Sequence, residues 1–322
     1  MKKKTILIFA IMLFLVFVAW MLRDLFMVRP ELQKNPYDYG MTALRKTDTV
    51  PSYTELSPLK PVLREITSVA GNQDGKIYIA GKGGVEILDV SGRMLKHFPI
   101  RGYATCLTLM PDGTLVIGME DHVELWSPSG NIISVWQAVD TNSMITSVAA
   151  TQNLIFVADA GKKIVYQYDR YGKLQARIGE KDPVRKIPGF IIPSPYFDVG
   201  ISPKGELWVA NTGRYRLEKY SMDGSLLTSW GEASMAMEGF AGCCNPSNFT
   251  ILPDGSFVTS EKGIERVKVY SPDGAFVALV AGPEAFDEGT RGLDLAAGSN
   301  GRILVLDPSR NQIRVFVPDK RN

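Results

Sequence analysis

Histidine is nearly absent from this 322-residue chain, which holds only His97 and His122. A zinc hydrolase built on two or three imidazoles, or a Ser-His-Asp hydrolase, has little material here, so neither is the default chemistry. Cysteine is scarce too: three residues, Cys106 alone and Cys243-Cys244 adjacent. An excess of one charge is also missing. The 36 basic and 34 acidic residues leave a net charge of +2, without the basic stripe that phosphate binding needs. Nucleic acid is therefore not an expected partner. With 45% hydrophobic and 22% charged residues, the composition excludes a disordered chain.

One long apolar run is present, at the start. Lys2, Lys3 and Lys4 precede Thr5 to Leu22, and Arg23 and Asp24 end the run. Its length, residues 5 to 22, is near the lower limit for a helix crossing the hydrocarbon core. It ends Val18-Ala19-Trp20-Met21-Leu22, with no small-residue cleavage site and no lipoprotein cysteine. Residues 1–24 thus read as an uncleaved signal-anchor, a single-pass transmembrane helix. The lysines place the N-terminus in the cytoplasm and the rest of the chain outside it, periplasmic or extracellular. Residues 25–60, polar and carrying Pro30, Pro36, Pro51 and Pro58, read as a stalk.

From residue 61 to 322 a pattern repeats. An apolar strand, a glycine turn, a strand ending in a small residue, a polar loop, a third strand, a second glycine turn and a fourth strand recur. The first turns fall at 75, 113, 153, 205, 255 and 301, with steps from 38 (75 to 113) to 52 (153 to 205). Glycine suits these turns because tight hairpins require positive φ. Each unit is a small antiparallel sheet that cannot cover its own faces, and stacking units around an axis buries them. The expectation is an all-β, six-bladed β-propeller of four-stranded antiparallel blades. The last unit stops after its third strand, Gln312 to Val317, and the segment Tyr53 to Leu63 is the candidate to complete it and close the ring.

The segments Phe156-Val-Ala-Asp-Ala-Gly-Lys-Lys-Ile-Val165 and Trp208-Val-Ala-Asn-Thr-Gly-Arg-Tyr-Arg-Leu217 resemble NHL repeats. The resemblance covers about residues 66 to 317, and the whole chain is similar to bacterial membrane-anchored NHL-repeat proteins with a Gly-Cys-Cys-Asn-Pro segment. It implies a propeller fold and assigns no reaction, because the family holds binding modules and enzymes alike.

Two connections between units are long, Gly179 to Pro195 and Gly231 to Pro246, and both belong to one predicted face. Near the start of each first strand one slot is polar, or cysteine once: Ser68, Cys106, Ser147, Asp198, Asn248 and Asp294. The register predicts a ring at the channel mouth. Asp198, Asn248 and Asp294 come from consecutive units and could hold a divalent cation, Ca²⁺ or Mg²⁺, or could bond backbone at the blade starts. Asp159, Asn211, Glu261 and Asp307 close second strands and read as structural. Cys243-Cys244 is open to three readings: loop shaping, redox or ligand contact, and binding of a soft ion such as Cu(I) with Met235 and Met237. His122 and Tyr196 lie on the same predicted face and join the candidate ligand-binding set.

Three functions follow from these residues. The preferred one is a binding scaffold presenting its long-loop face to a protein or small ligand. The alternatives are a metal-assisted hydrolase or lyase, with Glu261 or His122 moving protons, and a redox or copper-handling protein acting through Cys243 and Cys244. The sequence leaves open whether a reaction is catalysed.

Overall fold

A computed structural model describes residues 3–26, 49–137, 140–184 and 187–319. Residues 27–48, most of the expected stalk, lie outside the described residues. The chain divides into two units, Met1–Leu44 and Arg45–Asn322.

The described part of the first unit is one helix, Lys3–Phe26. Ile8, Phe9, Phe14, Phe17 and Trp20, which point to different sides of it, are all exposed. Among the described residues no helix is long and apolar enough to cross a membrane. The transmembrane assignment made from the sequence is therefore not supported by the structure. The three lysines and the charged pair Arg23-Asp24 leave an apolar stretch at the short end of the spanning range.

The second unit is an all-β propeller of antiparallel, mostly four-stranded sheets. Strands form where β-branched and aromatic residues run between glycine turns, as in Leu207–Asn211 and Phe257–Ser260. Gly75, Gly113, Gly205 and Gly255 sit at φ of +77° to +89°, the left-handed region that a side chain reaches only at a cost. Asn153 is absent from the positive-φ positions, so the third unit turns by a different hairpin, in which Thr151 N donates to Leu154 O and Leu154 N donates to Thr151 Oγ1.

Sequence led to six separate blades; the structure has five sheets. Four are four-stranded and one is six-stranded, running Ile66–Gly71, Ile77–Leu88, Met94–Leu109, Leu115–Met119, Val123–Trp126 and Ile132–Val135. The cause is the strand Met94–Leu109. Its first part, up to Tyr103, pairs with Ile77–Leu88, and its second, from Ala104, pairs with Leu115–Met119. No loop interrupts the passage between the first two repeat units, so they share one sheet. Apolar clusters fill the gaps between consecutive units, such as Phe156, Val165 and Ile178 against Val199, Leu207 and Val209.

The last sheet joins the two ends of the second unit. Tyr53–Leu59 pairs antiparallel with Gln312–Pro318 and supplies the outer strand beyond Ile303–Asp307 and Leu295–Ala297. Pro58 falls where the register shifts, between Leu56 and Leu59, as expected of a residue without an N–H to donate. Leu59 is buried among Ile66, Ile79, Leu304, Ile313 and Val315, so it also seals the seam between last and first units.

Leu59→Ala should lower unfolding stability by about 3 kcal/mol, as for other buried leucines, whereas Leu56→Ala on the exposed side should change it little. Denaturant titration of the two variants measures the contribution of the closing strand.

Candidate functional site: the polar ring of the central channel

The first strand of every unit faces the propeller axis, and its edge has no neighbouring ladder. Backbone N–H groups on such an edge need acceptors. The six slot residues, Ser68, Cys106, Ser147, Asp198, Asn248 and Asp294, all line one central cavity of about 720 Å³. Four of them provide those acceptors. Ser68 Oγ accepts from Leu107 N at 3.1 Å, Ser147 Oγ from Val199 N at 3.2 Å, Asp198 Oδ2 from Phe249 N at 2.7 Å, and Asp294 Oδ2 from Val69 N at 2.8 Å. Each bond runs from one unit to the next, and that of Asp294 crosses the seam between last and first.

Both carboxylates take further donors. Asp198 Oδ1 accepts from Ser147 Oγ at 2.5 Å and Val199 N at 2.9 Å. Asp294 accepts Ser68 Oγ at 2.8 Å on Oδ2 and Leu295 N at 2.9 Å on Oδ1. Enclosure away from bulk water raises Asp198 to about 7, and the negative charge of Asp294 adds to the rise. Burial likewise raises Asp294 to about 6. Hydrogen bonds from backbone N–H groups and serine hydroxyls oppose both shifts. Burial, with smaller contributions from Asp294 and Asp198, pushes the Cys106 thiol up to about 12, which leaves it protonated and inert at neutral pH.

Asn248 departs from the pattern. Its Oδ1 is buried without a hydrogen-bond partner, and Leu295 N, one residue past the slot of the next unit, bonds Asp294 instead. The expected cation set of Asp198, Asn248 and Asp294 thus shares one cavity, but three donors already occupy each carboxylate. Calcium needs six to eight oxygen ligands, and magnesium a near-ideal octahedron. Oxygens turned toward backbone N–H groups do not fit either demand. Among the described residues there is no group of three or more His, Cys, Asp or Glu arranged for a metal ion.

Other sequence candidates fall elsewhere. Tyr196 lines the cavity, and Lys262 Nζ lies 5.5 Å from the centre of its ring. His122 is tied to its own unit, with Nδ1 2.7 Å from Asp121 Oδ1 and Nε2 3.4 Å from Glu124 Oε1, and it does not line the cavity. Glu261 is unavailable as a proton carrier. It is buried, paired with Arg266 and Lys268 at 2.7 Å each, and accepts from Ala241 N. Asp159 and Asn211 accept from Met144 N and Ile191 N, and so hold the connections that precede their strands. Cys243 and Cys244 are free thiols outside the cavity lining.

Sequence reasoning missed Tyr103, Met144 and Arg291, which also line the cavity. They share a signal. Each stands three residues before a slot residue (Cys106, Ser147 and Asp294), as does Pro195 before Asp198, so the position three back marks the rim.

No family model and no curated protein sequence matches this chain. Solved structures do. A streptogramin B lyase superposes with a TM-score of 0.58 at 10% identity, covering 82% of this chain and 97% of the other. Virginiamycin B lyase from Staphylococcus aureus gives 0.55 at 13% identity, covering 84% and 90%. A protein of unknown function from Bacteroides thetaiotaomicron gives 0.57 at 12% identity, covering 84% and 72%. At such identities these likenesses show the β-propeller fold alone.

The carboxylate shifts have a measurable consequence. Unfolded aspartates titrate near 3.9, so between about 4 and 7 the folded chain holds protons that the unfolded chain has released. The contribution to stability is complete below the unfolded value and is lost as pH rises through about 6 and 7. The chain should therefore be more stable at pH 5 than at pH 8. Asp198→Asn should flatten that dependence, as read from denaturant midpoints across the range.

Proposed function

We propose that this chain is an NHL-type binding propeller whose central cavity, rimmed by the long-loop face, takes a small ligand rich in hydrogen-bond donors. One observation carries the reading: a cavity of about 720 Å³ with Asn248 in its wall, between the units of Asp198 and Asp294. Asn248 Oδ1 is buried without a donor, which is expensive, and a rotation of the amide toward the cavity would let a bound hydroxyl or ammonium group match it. The volume is that of a drug-sized ligand site. Tyr103 and Tyr196 add aromatic surface at the rim, and Arg291 adds a positive charge.

The names of the lyase neighbours suggest a reaction, but the wall supports binding instead. No histidine is among the residues lining the cavity, and the Cys106 thiol stays protonated. Cys243, Cys244 and His122 then belong to the surroundings of the ligand and not to its contact surface.

We also propose that the apolar N-terminal helix holds the propeller at a membrane, outside the cytoplasm. The run Thr5 to Leu22, apolar on every side and led by three lysines, supports this. Alkaline extraction of membranes from expressing cells tests it: retention in the pellet is expected, and release to the supernatant would refute it.

For the ligand, thermal-shift measurement of the detergent-purified full chain against a panel of amines, polyols and sugars should give concentration-dependent stabilisation by some members. Asn248→Ala should weaken that binding about tenfold while leaving the unliganded melting temperature close to that of the parent. Stabilisation that Asn248→Ala leaves unchanged, or none from any member, would set the reading aside.

A further inference from the structure

The Gly231 to Pro246 connection contains a chemical feature that ligand binding does not use. Cys243 and Cys244 are both free thiols, their sulfur atoms 2.8 Å apart. The two differ sharply in surroundings: Cys243 is exposed, whereas Cys244 is 3% exposed. Cys244 adopts φ +64°, so the backbone is folded into the left-handed region at the pair itself.

The segment is clamped on both sides. Tyr215 Oη donates to Gly242 O at 3.1 Å, and Lys262 Nζ donates to Cys243 O at 2.7 Å. Asn245 Nδ2 donates to Ala241 O at 2.6 Å and to Lys262 O at 3.0 Å, while its Oδ1 accepts from Lys262 N at 3.0 Å. Further back, Arg266 Nη2 reaches Gly239 O at 3.5 Å and Lys268 Nζ reaches it at 2.6 Å. The tethers hold the thiols together and leave one of them facing solvent.

We propose that Cys243 and Cys244 form a thiol–disulfide exchange site, with Cys243 attacking and Cys244 resolving. The oxidant is an organic disulfide, taken here as glutathione disulfide. The Cys243 thiolate attacks one of its sulfurs. The Cys243–glutathione bond forms, the glutathione S–S bond breaks, and one glutathione leaves, taking up the proton that Cys243 lost. The Cys244 thiolate then attacks Cys243 Sγ and expels the second glutathione, which is protonated in turn. Two electrons pass from the cysteine pair to the oxidant, giving one protein disulfide and two glutathione thiols.

The order follows from access. An organic disulfide reaches Cys243, whereas Cys244 is shielded and has the Cys243 sulfur 2.8 Å away. Burial raises the Cys244 thiol above the ordinary range, the adjacent thiol adds to the rise, and the Lys262 ammonium opposes it. A raised resolving thiol is protected from direct attack on external disulfides but is well placed to act within the pair. Reversibility follows from covalent geometry. Adjacent Cα atoms are about 3.8 Å apart across a trans peptide, below the usual disulfide range of about 4.4–6.8 Å, so the bond is readily reduced. Lys262 extends the consequence to the channel rim, since the ammonium that holds Cys243 O also lies against the Tyr196 ring.

This proposal is independent of the ligand reading, and its test does not require a ligand. The reduced full chain is exposed to glutathione redox buffers, quenched with acid, alkylated and analysed by peptide mass. The pair should lose both thiols together, with no stable glutathione adduct, while Cys106 alkylates only after unfolding. Cys244→Ser should stop at a glutathione adduct on Cys243. Cys243→Ser should react at Cys244 about tenfold or more slowly than that, a difference that disappears in denaturant. A persistent adduct in the parent chain, equal rates for the two folded variants, or thiols unchanged across the buffers would each overturn it.

Discussion

A hydrogen bond from a backbone N–H of one unit to a side chain at the start of the preceding unit's innermost strand carries the architecture. Innermost strands of adjacent units do not pair with each other, so the axis would otherwise be lined with unmet N–H groups. Ser68, Ser147, Asp198 and Asp294 reach across and accept from Leu107, Val199, Phe249 and Val69. This accounts for the polar character of a slot flanked by apolar residues. It also accounts for the choice of aspartate despite the penalty of burial. A carboxylate has lone pairs enough for its own strand, the neighbour's serine and the neighbour's backbone at once.

The same device recurs further out. Asp159, Asn211 and Glu261, at the ends of second strands, accept from Met144 N, Ile191 N and Ala241 N. Glu86, on the strand Ile77–Leu88, accepts from Val62 N and Leu63 N. Where a connection offers carbonyls instead, the third strand supplies cations: Lys268 donates to Met237 O and Gly239 O, and Arg314 to Ala285 O. The sign of the buried side chain thus follows the sign of the unmet backbone group. Lys268 shows what this placement demands. Burial lowers it to about 8 even with Glu261 beside it, and removing either partner would strand a buried charge. The long connections are consequently fixed in place, which lets Gly231 to Pro246 hold two thiols together and Gly179 to Pro195 seat Phe190 and Ile192 in the core.

Much of this fold was legible because a repeat announces itself through turn chemistry. The glycines at 75, 113, 205 and 255 are required by backbone geometry, whatever the strands around them contain. The shared sheet was not legible, because Pro99 and Gly102 read as a break between Phe98 and Ala104, whereas the strand runs through both, with Gly102 at φ +95°. The slot residues could be placed on the axis by counting, but their partners could not. Aspartate serves equally as a cation ligand or as an acceptor for backbone. Which it does depends on whether an unpaired strand edge lies within reach, and that is a property of the neighbouring unit. Glu261 keeps the structural role read for it, and the alternative role of proton carrier is ruled out by its two cationic partners, Arg266 and Lys268, which the sequence alone did not place beside it.

The balance between binding and catalysis at the axis turns on this double use of the carboxylates. Asp198 and Asp294, at about 7 and about 6, have the proton affinity of general acid–base groups. Each is nevertheless a joint between units. Asp198 bonds Ser147, Val199 and Phe249, and Asp294 bonds Ser68, Val69 and Leu295. Taking up and releasing a proton redistributes the lone pairs that these donors use, so every turnover would disturb an inter-unit contact. A group engaged in acid–base work is better left with one free oxygen facing the substrate. Among the described residues lining this channel, the buried side-chain acceptor without a partner is the Asn248 amide oxygen, which does not titrate.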